Sequence, residues 1–514
     1  MSIIDGESGY DMNSSPFRHL SNSVSWGAVR EMNAVETMFW RVDSSAGVEA
    51  NLLGLLLLDR APDWERLVDR HQWVVRAAPL LRKRLVEPPL HWGRPFWADD
   101  PAFDVTHHLR RVRLPSPGSR RQLLDFAQTL SMSPFSPARP LWEAVLVEGV
   151  DGHGAAYLLK IHHSLTDGTG ASQLVYLLVD AEAEPAEEKL LPPMPPNRRA
   201  DNRTLLVAGR FARMLGRLRP PRAPWKVRHR AAPAVTVLSS ARRNGAAPRS
   251  RRPPDVAALL GMAKSFAHAT VLPSAPPAPL LAGRSRYAHF EMVDVPFAAL
   301  RAAGKACGGT FNDAYLAGLA GAFDRYHRRF GLALDILPAL LPISVRRPGA
   351  VAGGNHLAST RLVLPVGGRT PAERVGLIHD AVTAVREGPT LHALGLLSRP
   401  ITPLPPSVVG RITKEMFRDN DLLASNFAGI PQPVYLAGVK VVAIQPYAPL
   451  LRGAVSVALV SYVDQAQMGV NLDTGAITEP EVFVRCLRES FEEVIGLASR
   501  QEPARGEPTA QRGR

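Results

Sequence analysis

The spacing of apolar positions changes repeatedly along the chain, and the changes predict interleaved strands and helices. Residues 52–59 form an apolar run of strand length, and 64–75 follow a helical period with one apolar face. Residues 141–148 and 155–162 read as two strands around Asp151-Gly-His-Gly154, which predicts a hairpin. Residues 104–112 predict a further strand, 122–130 a helix, and 170–180 the helix that follows the hairpin. Residues 32–40 read as a short turn or helix, and 79–84 and 88–97 as irregular.

The same interleaving resumes near Tyr287. Residues 296–304 predict a helix that breaks at Gly308-Gly309, and a second begins after Thr310. Its residues Leu316, Leu319, Phe323, Tyr326 and Phe330 fall on one face. Residues 335–342 lead into Ile343-Ser-Val-Arg346, and 360–364 predict a strand. Thr370-Pro-Ala-Glu373 is a capping box with proline at the first helical position, opening a helix to about Arg386. Residues 455–462 and 467–472 predict paired strands, and 480–497 a closing helix. The pattern predicts an α/β (α+β) fold in two subdomains, 31–181 and 286–500. Residues 1–30 lack periodicity and are expected to be disordered, and 501–514 are expected to be a loose tail.

Between the two halves the composition shifts. Residues 182–285 are rich in proline and arginine and predict a long crossover linker. Formal net charge is +14, yet residues 198–252 alone hold fifteen arginines and one lysine against Asp201, a net +15. The basicity therefore belongs to the linker. Within it, Leu206, Phe211 and Leu215 alternate with Arg210, Arg213 and Arg217. A basic amphipathic segment suits an anionic membrane surface or a lipid droplet, and a solvated tether is the alternative. Few aromatics are interleaved and no nucleic-acid module is recognisable, which disfavours nucleic acid as a partner. With 514 residues, 46% of them hydrophobic and 21% charged, the chain is globular and too long for one ordinary core. Cys307 and Cys486 cannot build a disulfide framework, which suits a reducing cytoplasm. The longest apolar run falls well short of the ~20 residues of a spanning helix, and residues 1–30 hold no signal-peptide core. A cytoplasmic protein bound peripherally to a membrane or droplet is the expectation.

The chemistry concentrates where the hairpin ends, in His162-His163-Ser-Leu-Thr-Asp167-Gly168. Imidazole titrates near neutrality and can take a proton from a hydroxyl and return it. Adjacent strand residues point to opposite faces, so the two histidines cannot easily share a metal ion. One is expected to face a cleft and the other the interior. A purely structural pair, both rings bonded to backbone, is the alternative. Asp167 can fix the ring or the loop, and Gly168 leaves room for a turn or a substrate.

These residues resemble the HHxxxDG acyltransferase superfamily, and further motifs resemble its bacterial wax ester synthase/diacylglycerol acyltransferase branch. Pro140-Leu-Trp142-Glu precedes the histidines, and Phe311-Asn312-Asp313, Pro342-Ile-Ser-Val-Arg346, Gly354-Asn355 and Ser425-Asn426 follow in the family's order. The resemblance implies two chloramphenicol-acetyltransferase-like subdomains with a tunnel between them. It implies transfer of an acyl group from acyl-CoA to a lipid alcohol, a diacylglycerol or a fatty alcohol, with acyl-CoA as substrate and no cofactor or metal. His163 would be the general base, His162 a support, and Asp167 an ion-pair partner of Arg346. Trp142 would pack at the domain seam or line the site. Asn312 would cap a helix or serve the motif, Asp313 would support it, and Asn426 would turn the chain or hold substrate. The sequence departs from the family at Glu36 (usually aspartate), at Asn51 (often histidine) and at Asp464 (often glycine). A lipid-binding paralogue without catalysis and an acyltransferase acting on a carrier-protein thioester are the alternative functions.

Overall fold

A computed structural model of the chain describes residues 31–46, 50–88, 93–185, 275–276, 278–344, 355, 357–387, 408, 417 and 420–499. The expectations for residues 1–30, for nearly all of the linker, for Arg346 and for the tail lie outside the described residues. The α/β architecture is the one the sequence predicts, built on two large sheets.

The first sheet grows around the apolar run. β1 (Asn51–Leu58) is covered on both faces, which is why its sequence does not alternate. Leu53, Leu55 and Leu57 meet Leu123, Leu124 and Ala127 of helix α3 (Arg120–Met132), and Leu56 and Leu58 join the core under helix α2 (Trp64–Ala77). The predicted hairpin is β5 (Trp142–Val150) and β6 (Gly154–His162), with β6 antiparallel to β1. Residues 104–112 are only partly a strand. Asp104 caps a single 3-10 turn through the N–H of Thr106, and β4 (Leu109–Arg113) follows, parallel to β5. The segments read as irregular are so except at their ends, where Lys83–Val86 (β2) pairs with Phe96–Asp99 (β3) in a small ribbon. Four-residue strands are too short to show a period.

Beyond β1 the sheet continues with strands from the far end of the chain. β13 (Val439–Tyr447) lies antiparallel to β1, and β12 (Tyr435–Leu436) joins it to β7 (Val179–Asp180). β7 takes the last residues of the stretch read as helix after the histidines, and that helix, α4, is Gly168–Leu178. The strand at residues 439–447 was not legible in sequence, and it makes the seam of the molecule.

The second sheet has the order β10-β9-β11-β14-β15-β8, where β8 is Ala288–Pro296, β9 Ile336–Ser344, β10 Leu357–Pro365, β11 Leu422–Ile430, β14 Val455–Tyr462 and β15 Gln465–Asp473. The predicted pair β14–β15 is antiparallel, and β11 runs parallel to β9 and β14. Helices α5 (Phe297–Ala306), α6 (Phe311–Arg329), α7 (Pro371–Glu387) and α8 (Pro480–Ser499) complete this half. The capping box expected at Thr370 and Glu373 forms, whereas α6 is capped by Thr310, in a box with Asp313, and not by Asn312, which lies inside the first turn. α6 is buried almost all round rather than on one face, because it packs against α5, α7 and α8. Alanines and glycines on its other sides permit this: a Cβ on Gly318 would come 2.5 Å from the Phe491 ring.

β13 touches the second sheet at backbone level. A Cβ on Gly469 of β15 would lie 1.9 Å from the carbonyl oxygen of Pro446, so only glycine allows that approach. Beside it the Phe290 and Tyr447 rings stack at 4.1 Å. Among the described residues no helix is long and apolar enough to cross a membrane.

Candidate active site

β6 ends in the two histidines and divides them as strand geometry requires. His162 is fully buried, its Nδ1 2.7 Å from Ser164 Oγ and its Nε2 3.3 Å from Asp43 Oδ2. Trp40 and Phe135 meet that ring edge-on. His163 turns the other way and lines a large cavity. Its main-chain N–H donates to Ala50 at 2.7 Å, which fixes the corner to the start of β1.

After the histidines the chain turns into α4. Asp167 is the N-cap, its buried Oδ1 accepting from the N–H of Gly170 at 2.8 Å. Gly170 is forced by close packing, because a Cβ there would lie 1.9 Å from Thr166 Oγ1. Gly168 faces the cavity with a milder constraint, 3.2 Å to the Phe427 ring. The expected partner of Asp167, Arg346, lies outside the described residues.

The support for both histidines comes from α1 (Ala34–Ala46), the segment read only as a short turn or helix. Phe39 lies flat on the His163 imidazole, with ring centroids 4.2 Å apart and planes 3° from parallel. Trp40 and Asp43 touch His162. Glu36, Phe39, Trp40 and Asp43 follow the i, i+3, i+4, i+7 spacing of one helical face, a signal present in the sequence but carried by mixed residue types.

α1 begins with a capping box that grips a distant residue. Asn33 Oδ1 accepts from the N–H of Glu36 at 2.9 Å, and Glu36 Oε2 accepts from the N–H of Asn33 at 2.8 Å. The spare atoms hold the peptide of Asn355: its N–H donates to Glu36 Oε1 at 3.0 Å, and its carbonyl accepts from Asn33 Nδ2 at 2.8 Å. The side-chain amide of Asn355 in turn meets His163 Nδ1 at 3.0 Å and the His163 carbonyl at 3.1 Å. Glu36 thus stands one residue away from the imidazole it helps to place. The family-like Gly354-Asn355 motif acquires a role here that its sequence does not state.

Electrostatics follow from burial. Burial lowers the His163 pKa to about 4, opposed by its own carbonyl and by Asp167. Burial also raises Glu36 to about 7, against the N–H groups of Asn355 and Asn33 that favour its charge, with Asp167 adding to the rise and Arg94 opposing it. At neutral pH His163 is therefore neutral, with a lone pair on one nitrogen. Because Nδ1 is turned to Asn355, Nε2 is the nitrogen left for the cavity.

That cavity encloses about 1320 Å³ of empty space, open solvent at its mouth included. Its walls come from β1, β6, β13 and α4 on one side and from β9, β11 and β14 on the other. They are mostly aliphatic, with Ser425, Asn426, Ser172 and Thr169 among the few polar residues. Asn426 also borders a smaller pocket that holds Asn312, which does not line the main cavity. Asp313 caps α6 and contacts His379 Nδ1 through Oδ2 at 2.8 Å, a structural position. Trp142 is core: its Nε1 donates to the Leu81 carbonyl at 2.7 Å and its ring stacks on His108 at 4.7 Å. Asp464 closes the β14–β15 turn and its carbonyl accepts from the N–H of Phe297.

Two joined sheets with a histidine pair at the end of a strand define the class of fold, and solved structures share it. A wax ester synthase/diacylglycerol acyltransferase from Marinobacter aquaeolei VT8 aligns over 91% of this chain and all of its own, with TM-score 0.59 and 20% identity. The first condensation domain of the calcium-dependent antibiotic synthetase aligns over 92% of this chain and 97% of its own, with TM-score 0.57 and 16% identity. The chain belongs to the wax ester synthase/diacylglycerol acyltransferase family: the model of its catalytic domain matches residues 32–315 and that of its C-terminal domain residues 353–494. A putative diacylglycerol O-acyltransferase of Mycobacterium tuberculosis H37Rv is 33% identical over 92% of this chain and 93% of its own. A probable diacylglycerol O-acyltransferase of strain CDC 1551 is 24% identical over 87% and 91%. The protein is accordingly an acyltransferase.

Proposed function

We propose that the protein transfers a fatty acyl group from acyl-CoA to the hydroxyl of a lipid alcohol, a diacylglycerol first and a long-chain fatty alcohol second. The observation that carries the reading is the neutral imidazole of His163, backed by Phe39 and Asn355 and open to a long aliphatic cavity. The names of the relatives supply the substrate class.

In this reading His163 Nε2 takes the proton as the alcohol oxygen attacks the thioester carbonyl. The tetrahedral intermediate then collapses, the carbon–sulfur bond breaks, and the imidazolium returns the proton to the CoA thiolate. For Nε2 to hold the lone pair, Nδ1 carries the hydrogen. A hydrogen on Nδ1 has the main-chain carbonyl of His163 as its acceptor, and Asn355 Nδ2 donates to that same carbonyl at 3.1 Å. A base with a pKa near 4 is weak, and negative charge growing on the carbonyl oxygen offsets this by stabilising the imidazolium. Asn426 is the candidate donor to that oxygen. Aliphatic walls exclude the water that would hydrolyse the thioester. His162 and Asp167 hold the corner rather than react. The basic linker is read as a contact to an anionic membrane or droplet surface, which would keep the enzyme peripheral and near its lipid acceptor.

The test is release of CoA from palmitoyl-CoA with dipalmitoylglycerol or hexadecanol, for the wild type and His163→Ala. Acceptor-dependent release that disappears in the variant is expected. Folded wild-type protein that releases no CoA with either alcohol would refute the reading and leave a lipid-binding role.

A further inference from the structure

Beside the catalytic cavity lies a second one, enclosing about 620 Å³ with open solvent included, and the two share Pro449 and Leu451 in their walls. It also reaches the histidine corner. Asn51 is in its wall and pairs with His162 in the β1–β6 register, next to the Ala50 carbonyl that accepts from His163. Its lining differs sharply from the aliphatic cavity, because Arg284, Arg286 and Arg452 all border it.

The arginines are set in a rigid frame. Arg284 holds the frame with all three guanidinium nitrogens: Nε donates to the Arg452 carbonyl at 3.0 Å, Nη1 to the Gly283 carbonyl at 2.9 Å, and Nη2 pairs with the buried Asp421 at 2.8 Å. Asp473, the carboxylate at this cavity, is occupied by main-chain and hydroxyl donors. It accepts from the N–H groups of Ser285, Arg286 and Gly475 at 2.8 Å each and from Ser285 Oγ at 2.9 Å. The side chain of Arg452 forms no ion pair among the described residues. Of the five non-glycine residues with left-handed backbone among those described, three border this cavity: Arg286 at φ 65°, Leu451 at 44° and Arg452 at 69°. Such strain persists where the surroundings impose it, and it gathers at ligand clamps.

Two asparagines add unmet acceptors. Asn51 directs its amide NH2 to the Ser131 carbonyl at 2.8 Å and Asn471 to that of Ala448 at 3.0 Å. The Oδ1 atom of each is buried without a donor among the described residues. A ligand carrying N–H groups past this wall would satisfy them.

We infer that this cavity receives the phosphate-bearing end of the acyl thioester, with the phosphates of CoA at Arg286 and Arg452 and its amide-containing arm passing Asn51 and Asn471 toward the histidine corner. The inference rests on the acyl-CoA reading of the site. It gives the departure at Asn51 a purpose, since an amide there presents an acceptor to the arm. It also separates the two ends of the substrate by chemistry, anion in the arginine cavity and acyl chain in the aliphatic one.

The test compares palmitoyl-CoA with palmitoyl-pantetheine, which keeps the thioester and lacks the nucleotide phosphates. In Arg452→Gln and in Arg286→Gln the KM for palmitoyl-CoA is expected to rise about tenfold, the loss of one charge-assisted contact, while the KM for palmitoyl-pantetheine stays within about twofold. Equal changes for both thioesters, or none for either, would overturn the site. Binding of CoA itself, measured by calorimetry on the full chain, separates this failure from failure of the enzymatic reading. If the wild type releases no CoA from any thioester yet binds CoA about tenfold more tightly than Arg452→Gln, the site stands and the activity falls. If the variant instead weakens binding to phosphatidate vesicles and leaves CoA binding intact, the cavity serves a lipid headgroup and the inference is wrong.

Discussion

Phe39 lies on His163 face to face, 4.2 Å between centroids and 3° from parallel, so one face of the imidazole is sealed by a ring that cannot hydrogen-bond to it. Phe39 belongs to α1, Asn355 meets Nδ1 of the same imidazole, and the cavity takes what remains. The ring is buried among these neighbours, and that burial is the main cause of its lowered pKa.

Phe39→Leu should keep the site folded while admitting water to the imidazole. The pKa of His163 then rises from about 4 toward its ordinary 6.5, and the acidic limb of the kcat/KM profile moves up with it. Turnover at pH 7 is expected to fall roughly tenfold through looser placement of the ring. An acidic limb that stays in place would show that Phe39 does not control the hydration of His163.

Glu36→Gln tests the grip on Asn355. The carboxylate accepts from three donors, and a glutamine would point an NH2 at one of them. Leaving a buried donor unmatched costs about 1–3 kcal/mol. The expected result is a lower melting temperature together with a fall in kcat larger than any change in KM, since His163 loses its anchor. A variant with unchanged kcat would detach Glu36 from the site.

Opposed proton linkages should appear in stability against pH. Glu36 is raised from 4.5 to about 7, so the folded state holds its proton more tightly and stability falls as pH rises through that window. His163 is lowered from 6.5 to about 4, so the unfolded state binds the proton more tightly and stability falls as pH drops through that window. Each shift corresponds to about 3 kcal/mol, and the two nearly cancel between pH 4.5 and 6.5. Denaturation of His163→Asn should therefore show stability declining from pH 4.5 to 7 more steeply than the wild type. Parallel curves for the two proteins would contradict the shifts.

The two glycines of the turn should differ. Gly168→Ala requires the Phe427 ring to give by a few tenths of an ångström, and a folded enzyme with altered KM is expected. Gly170→Ala places a Cβ 1.9 Å from Thr166 Oγ1, and a loss of about 1–3 kcal/mol is expected. Thr166→Ala removes that oxygen and should recover much of the loss in the double variant. Equal stability of Gly168→Ala and Gly170→Ala in thermal melts would contradict this packing.

Trp142→Phe should lower stability without changing the catalysis of the folded fraction. It removes the donor to the buried Leu81 carbonyl and lies outside the cavity wall, so the motif that precedes the histidines acts through packing. A changed kcat per folded molecule would place Trp142 at the site instead.

Much of this site was legible because its parts are local. The histidine corner is a strand that turns into a helix, and the alternation before it and the helical stretch after it are written within twenty residues, while the N-cap role of Asp167 came only from the structure. The capping box at Thr370 was readable for the same reason, whereas the one at Thr310 was passed over for Asn312. α1 was underread because its functional face mixes Glu36, Phe39, Trp40 and Asp43, which no hydrophobic period picks out. β13 was missed because its neighbours β1 and β15 lie in different sheets, and exposed Val442 together with buried Gln445 blurs its apolar alternation.

The sequence by itself determined the class of fold, the residues able to move a proton and the concentration of positive charge between the halves. These follow from period, side-chain chemistry and short-range hydrogen bonding. Only the tertiary structure decided that Asn355 reaches His163 across 192 residues and that Asn33 reaches Asn355 across 322. It alone gathered Arg284, Arg286 and Arg452 at one wall. Contacts of that range depend on how sheets pair and pack, and no window of the chain holds both partners at once.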